Sequence, residues 1–180
     1  MKKQIPNILT YSRILVIPLL VLIFIYSRND VSDWLCASLF LYASITDFFD
    51  GYLARAWHAN SNIGKFLDPI ADKLLIASCL MLLVSSGRAH ILPSLAILCR
   101  EILVSGLREF LADLNISVPV STLAKYKTAT QMIAIFLLLL GSSFPLLQEV
   151  GNYLLWTAAL LTLFTGYAYL RTGLKHLANN

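Results

Sequence analysis

Charge is scarce in this sequence. Of its 180 residues only 13% are Asp, Glu, Lys or Arg, against 58% hydrophobic, and the mean hydropathy is +0.72. A soluble domain of that composition would have too little polar surface to cover itself, so the chain reads as an integral membrane protein. Cysteine is equally thin. Cys36, Cys79 and Cys99 stand singly in apolar segments, with no CxxC pair and no neighbouring His, which leaves a disulfide or cysteine–metal role without support. They read as small buried hydrophobes. His58, His90 and His176 show no metal-ligand spacing. The net charge of +4 is spread over the ends of apolar segments and forms no basic stripe, which argues against nucleic acid as a partner. No internal repeat or low-complexity tract is visible. The apolar N-terminal run is interrupted by Arg13, and no A-x-A-like cleavage site follows Tyr26, so it reads as a retained segment.

What is present is a series of apolar segments of membrane-crossing length, about 20 residues each. They cover residues 8–26, 34–57, 69–86, 91–111, 126–144 and 153–170, separated by turn-rich breaks at 27–30, 85–90, 113–121 and 141–151. The expectation is one all-α domain over residues 1–180, with six transmembrane helices. Lys2, Lys3, Arg55, Lys65, Lys125, Lys127, Arg171 and Lys175 fall on one side and only Arg28 and Arg88 on the other. The first side should therefore be cytoplasmic, with both termini on it.

The stretch 47–73, "DFFDGYLARAWHANSNIGKFLDPIADK", puts four aspartates at the cytoplasmic ends of the second and third segments. Asp47 and Asp50 are spaced i, i+3, and Asp68 and Asp72 i, i+4, so each pair shares a helix face. Two such faces opposite one another would repel strongly unless cations lay between them. Hard divalent ions, Mg²⁺ or Mn²⁺, take carboxylate oxygens and commonly act in pairs on phosphoryl groups, which points to a diphosphate substrate in a polar, metal-binding cavity at the cytoplasmic side. Gly51 and Ala54 would let a flat group approach the helix closely. Gly64 is expected in the connection before the third helix, and Asp68-Pro69 reads as an N-cap followed by Pro at N1. Arg100 and Glu101 lie about halfway along the fourth segment; as neighbours they cannot share a face, so each should have a separate partner.

Asp47, Asp50, Gly51, Ala54, Arg55, Gly64, Asp68 and Asp72 spell D-x-x-D-G-x-x-A-R, eight residues, then G-x-x-x-D-x-x-x-D. This resembles the signature of the CDP-alcohol phosphotransferases. The resemblance implies a six-helix bundle, usually homodimeric, with its site at the cytosolic membrane surface. It implies that Asp47, Asp50, Asp68 and Asp72 hold two divalent cations against the CDP diphosphate and that Asp72 is also the catalytic base. Asp50, Gly51, Ala54, Arg55 and Gly64 would line the CDP site.

The flanking stretches "IPNILTYSRI", "REILVSGLREF" and "VSTLAKYKTATQM" are similar to the bacterial branch of that family whose acceptor is glycerol 3-phosphate. The implied reaction takes CDP-diacylglycerol and sn-glycerol 3-phosphate to phosphatidylglycerophosphate and CMP, at the bacterial inner membrane among its lipids. An acceptor dianion needs cations of its own, and Arg108, Lys125, Lys127 and Arg13 are the candidates at the right depth. In-line attack is expected, since no Ser, Cys or His is placed to be a nucleophile. Other acceptors, inositol phosphate or phosphatidylglycerol, would use the same chemistry. A membrane prenyltransferase fits the aspartate spacing poorly, and a cation-coupled transporter would be expected to show repeats and midplane sites.

Overall fold

The structure, a computed structural model, describes residues 5–27, 29–57, 62–114, 122–141 and 144–178, with side chains throughout except at 5–9, 48–57, 62–66, 113, 172 and 174–178. These residues form helices and no strands: α1 (Ile5–Tyr26), α2 (Asp30–Trp57), α3 (Asn62–Ser85), α4 (Ile91–Asp113), α5 (Thr122–Leu140) and α6 (Pro145–Ala178). Lys2, Lys3, Arg28, His58 and Asn60 lie outside the described residues.

Helix ends follow local chemistry. Asn29 and Ser32 cap α2 reciprocally, the Ser32 N–H donating to Asn29 Oδ1 at 2.8 Å and the Asn29 N–H to Ser32 Oγ at 3.1 Å. At the end of α3 the Arg88 N–H donates to the Leu83 carbonyl (2.9 Å) and the Gly87 N–H to that of Val84 (3.1 Å), with Gly87 at φ 73°. That pairing is a Schellman stop, and glycine takes its left-handed position without strain. His90 caps α4, its Nδ1 accepting from the Leu92 N–H at 3.3 Å.

Two expectations about the third helix are corrected. It starts at Asn62, so Gly64 is helical instead of lying in a loop, and Asp68 is an interior residue, not an N-cap, with Pro69 inside the helix. Pro69 is the eighth residue of that helix, past the first turn, and cannot donate to the Lys65 carbonyl one turn upstream. Helix α6 is also longer than expected. Pro145 occupies its first turn, and the Phe144 carbonyl accepts from Leu147 and Gln148 (2.9 and 3.2 Å), so 145–151 is helix and not break.

Helix α1 packs on α2 and α3, α5 on α6 and α2, and α4 chiefly on α6. The shared core includes Leu20, Phe40, Leu80, Leu83, Ile97, Ile135, Leu138 and Leu155. A Cβ on Gly151 would lie 2.8 Å from Leu138 Cγ, so glycine sets how closely α6 approaches α5. At the end of the bundle where α3 turns into α4, Arg88 donates to Asp33 (2.9 Å) and to the Leu139 carbonyl (3.0 Å) and lies over the Phe24 ring. Two stretches, Thr122–Leu140 and Pro145–Arg171, are long and apolar enough to cross a membrane by length and composition. The aspartates and arginines of the candidate site, Asp47, Asp68, Asp72, Arg13, Arg100 and Arg108, stand on the other four helices.

Candidate active site

The motif helices meet through α1. Arg13 is completely buried, and one of its terminal nitrogens lies 2.9 Å from Asp47 Oδ1 on α2 and 2.6 Å from Asp72 Oδ1 on α3, while both aspartates are 40% exposed. One turn earlier on the same face of α1, Thr10 donates to Asp68 Oδ1 at 2.5 Å. The cation thus lies beneath the carboxylates and leaves their outer sides open. α1 thus contacts three aspartates, Asp47, Asp68 and Asp72, that stand up to 25 residues apart in the sequence.

Asp47 and Asp72 open into a cavity of about 550 Å³ between α2, α3, α4 and α5. Its polar lining comprises Ser44, Lys73, Arg100, Glu101, Ser105, Arg108, Glu109, Thr128 and Gln131, and its apolar lining includes Leu75, Leu98, Ile102 and Met132. Carboxylates at one wall and Arg100 and Arg108 at another suit a substrate with phosphate groups and a greasy remainder. Lys73 bonds Ser105 and faces Glu109 at 3.6 Å, joining α3 to α4.

The acceptor candidates separate. Arg108 lines the cavity, its guanidinium 5.7 Å from the centre of the Tyr169 ring of α6. Lys127 is buried and bonded to Glu101, which itself lines the cavity. Lys125 is exposed and does not line it. Arg13 is engaged by Asp47 and Asp72, so its geometry is that of a carboxylate counter-ion. Arg100 and Glu101 have separate partners, Thr165 and Lys127, and one contact with each other besides. Arg100 reaches Glu101 at 3.3 Å as well as Thr165 on α6 at 3.5 Å, its long side chain overcoming the divergence of adjacent positions. Gly166 makes room for it, since a Cβ there would lie 2.8 Å from Arg100 Cγ.

The side chains of Asp50, Ala54 and Arg55, and the surroundings of Gly51 and Gly64, lie outside what is described. Among the described residues no three His, Cys, Asp or Glu gather as a metal cluster. The donor set nevertheless suits a hard divalent ion: Asp47, Asp68 and Asp72 offer carboxylate oxygens, and a guanidinium already compensates two of them from beneath.

Reasoning from sequence missed Thr10, Lys73, Glu109 and Gln131. Thr10 stands i−3 from Arg13 and Gln131 i+4 from Lys127, so helical spacing from a charged residue was a usable signal for both.

Residues 3–164 match the family described as CDP-alcohol phosphatidyltransferase, and the chain belongs to that family. Within it, the chain is 50% identical over 177 residues to the CDP-diacylglycerol–glycerol-3-phosphate 3-phosphatidyltransferase of Rickettsia felis, covering 97% of each chain. The protein of the same name from Rickettsia typhi is 51% identical over 172 residues, covering 94% of this chain and 96% of its own. That from Pectobacterium atrosepticum is 39% identical over 174 residues, covering 94% of each.

Proposed function

We propose that this protein transfers a phosphatidyl group from CDP-diacylglycerol to the 1-hydroxyl of sn-glycerol 3-phosphate, giving phosphatidylglycerophosphate and CMP. The observation that carries the reading is the convergence of Asp47 and Asp72 on Arg13 at the wall of a cavity that also holds Arg100 and Arg108. Relatives at 37–51% identity, all bearing the name of this activity, support it.

In this reading the six helices cross the bacterial inner membrane with both termini and the cavity on the cytoplasmic side, and the protein works as a homodimer. Asp47, Asp50, Asp68 and Asp72 hold two divalent cations, Mg²⁺ or Mn²⁺. When bound, these supply charge neutralisation for the diphosphate and for the departing CMP. Asp50, Gly51, Ala54, Arg55 and Gly64 receive the nucleotide. Arg108, with Lys127 and Arg100 behind it, attracts the acceptor phosphate. Asp72, oriented by Arg13, accepts the proton of the 1-hydroxyl. That oxygen bonds to the β-phosphorus while the bond to the α-phosphate oxygen breaks, and CMP leaves with the electron pair. Thr10 and Arg13 fix the carboxylates of Asp47, Asp68 and Asp72 from beneath, so that none of the three needs to reorganise during transfer.

The test is CMP release by the purified protein in detergent–lipid micelles with CDP-diacylglycerol and Mg²⁺ or Mn²⁺. Release that requires both glycerol 3-phosphate and the metal is the expected result. Release supported instead by inositol phosphate or phosphatidylglycerol would keep the chemistry and overturn the acceptor.

A further inference from the structure

Gln131 is a fully buried residue of α5 that lines the cavity, and neither its Oε1 nor its Nε2 has a hydrogen-bond partner among the described residues. An unpaired buried amide costs about 1–3 kcal/mol per group, which Leu or Met at the same site would avoid. The position is set by the helix: Gln131 stands one turn beyond Lys127 on a buried stripe that continues through Ala134, Ile135 and Leu138. Past it that stripe is wholly apolar. Gln131 is therefore the last polar residue on that stripe and lies at the cavity.

Its chemistry differs from that of its neighbours. Arg100 and Arg108 line the same cavity and serve an anion, and Arg100 Nε also lacks a partner. Lys127 and Glu101 are bonded to each other. A carboxamide is neutral and offers both an acceptor oxygen and a donor nitrogen, which matches an alcohol that donates and accepts at once. Glycerol 3-phosphate has two hydroxyls. One attacks phosphorus beside Asp72, and the other, on C2, takes no part in bond making.

We infer that Gln131 binds the unreactive 2-hydroxyl of the acceptor and so determines specificity for glycerol 3-phosphate, holding the molecule with its 1-hydroxyl toward Asp72. The inference rests on the acceptor assigned above. It gives the cavity two complementary functions: cations fix the phosphate, and one amide identifies the polyol carbon next to the nucleophile.

A substrate–variant cycle tests it. CMP release is measured for the wild type and Gln131→Met with sn-glycerol 3-phosphate and with 3-hydroxypropyl phosphate, which lacks the 2-hydroxyl. The wild type should lose about 100-fold or more in kcat/KM on the deoxy substrate, because a site built around a hydroxyl rejects the analogue without it. Gln131→Met should lose a similar factor on glycerol 3-phosphate, with KM for CDP-diacylglycerol unchanged, and show no further loss on the analogue. Equal use of both substrates by the wild type, or losses that multiply in the variant, would overturn the assignment. Thermal unfolding without substrate provides a separate check. Gln131→Met should unfold at or above the wild-type temperature, since it removes an unpaired buried amide, and a marked drop would make Gln131 a structural residue instead. If the wild type shows no release dependent on glycerol 3-phosphate, the parent reading fails and this one with it.

Discussion

Arg13 on α1 and Asp72 on α3 are joined at 2.6 Å, and the same guanidinium nitrogen reaches Asp47 on α2 at 2.9 Å. A single buried cation thereby holds together the two helices that carry the aspartate motif. Arg13→Ala should remove that tie and leave two carboxylates facing each other. The expected destabilisation is about 1–3 kcal/mol in chelator, partly recovered on adding Mg²⁺. Thermal unfolding with and without the metal checks it; an equal loss in both conditions would contradict a shared electrostatic role for Arg13 and the ion.

Asp72→Asn keeps the size of the side chain and removes the proposed base. Turnover should fall by about 10²–10⁴-fold, while binding of CDP-diacylglycerol, followed by displacement of a labelled lipid, stays largely intact. Normal turnover in this variant would remove Asp72 from the proton-accepting role.

Arg108 and Lys125 make a contrast within the predicted acceptor set, because the first lines the cavity and the second does not. Arg108→Ala should raise KM for glycerol 3-phosphate about tenfold or more, with a smaller effect on CDP-diacylglycerol. Lys125→Ala should change either value by less than about twofold. Steady-state kinetics with each substrate varied in turn distinguishes them, and equal effects of Arg108→Ala on both substrates would assign it elsewhere.

Gly166 is separated by 2.8 Å from Arg100 Cγ once a Cβ is added. Gly166→Ala should displace that arginine, costing about 1–3 kcal/mol of stability and lowering kcat/KM for the acceptor. Unfolding and kinetics together report it. A variant that matches the wild type in both would show that α6 can yield at this point.

Much of this was legible from residue types and spacing. The four aspartates announced the site because ionised groups between apolar segments are expensive unless they are used, and the helix count followed from the lengths of the apolar runs. The pairing of Arg13 was harder to read. In the sequence it is one basic residue in a hydrophobic run, and only the packing of α1 against both α2 and α3 shows it paired with Asp47 and Asp72. Asp68-Pro69 misled for a local reason: Asp followed by Pro is a common helix start, yet the preceding turn, 62–67, is helical already. Gln131 was marked in the sequence only by its i+4 spacing from Lys127, since its significance lies in the absence of a hydrogen-bond partner among the described residues. Asp50, Ala54 and Arg55, expected to face the nucleotide, lie outside the described side chains and rest on their spacing alone.

The Arg88 clasp has a consequence for the order of assembly. Its partners come from four other parts of the chain: the Phe24 ring, the Asp33 carboxylate, the Leu139 carbonyl, and Asn152, whose amide donates to the Arg88 carbonyl at 2.9 Å. As the polypeptide emerges from the ribosome, the first two are ready long before the others. A nascent chain that has reached only α4 holds this guanidinium against an aromatic ring and one acid, and closure waits for α5 and then α6. The end of the bundle farthest from the aspartates therefore cannot be completed before α6 begins to arrive, and the α6 contacts of Arg100 and Arg108, which lie farther along that helix, come later still.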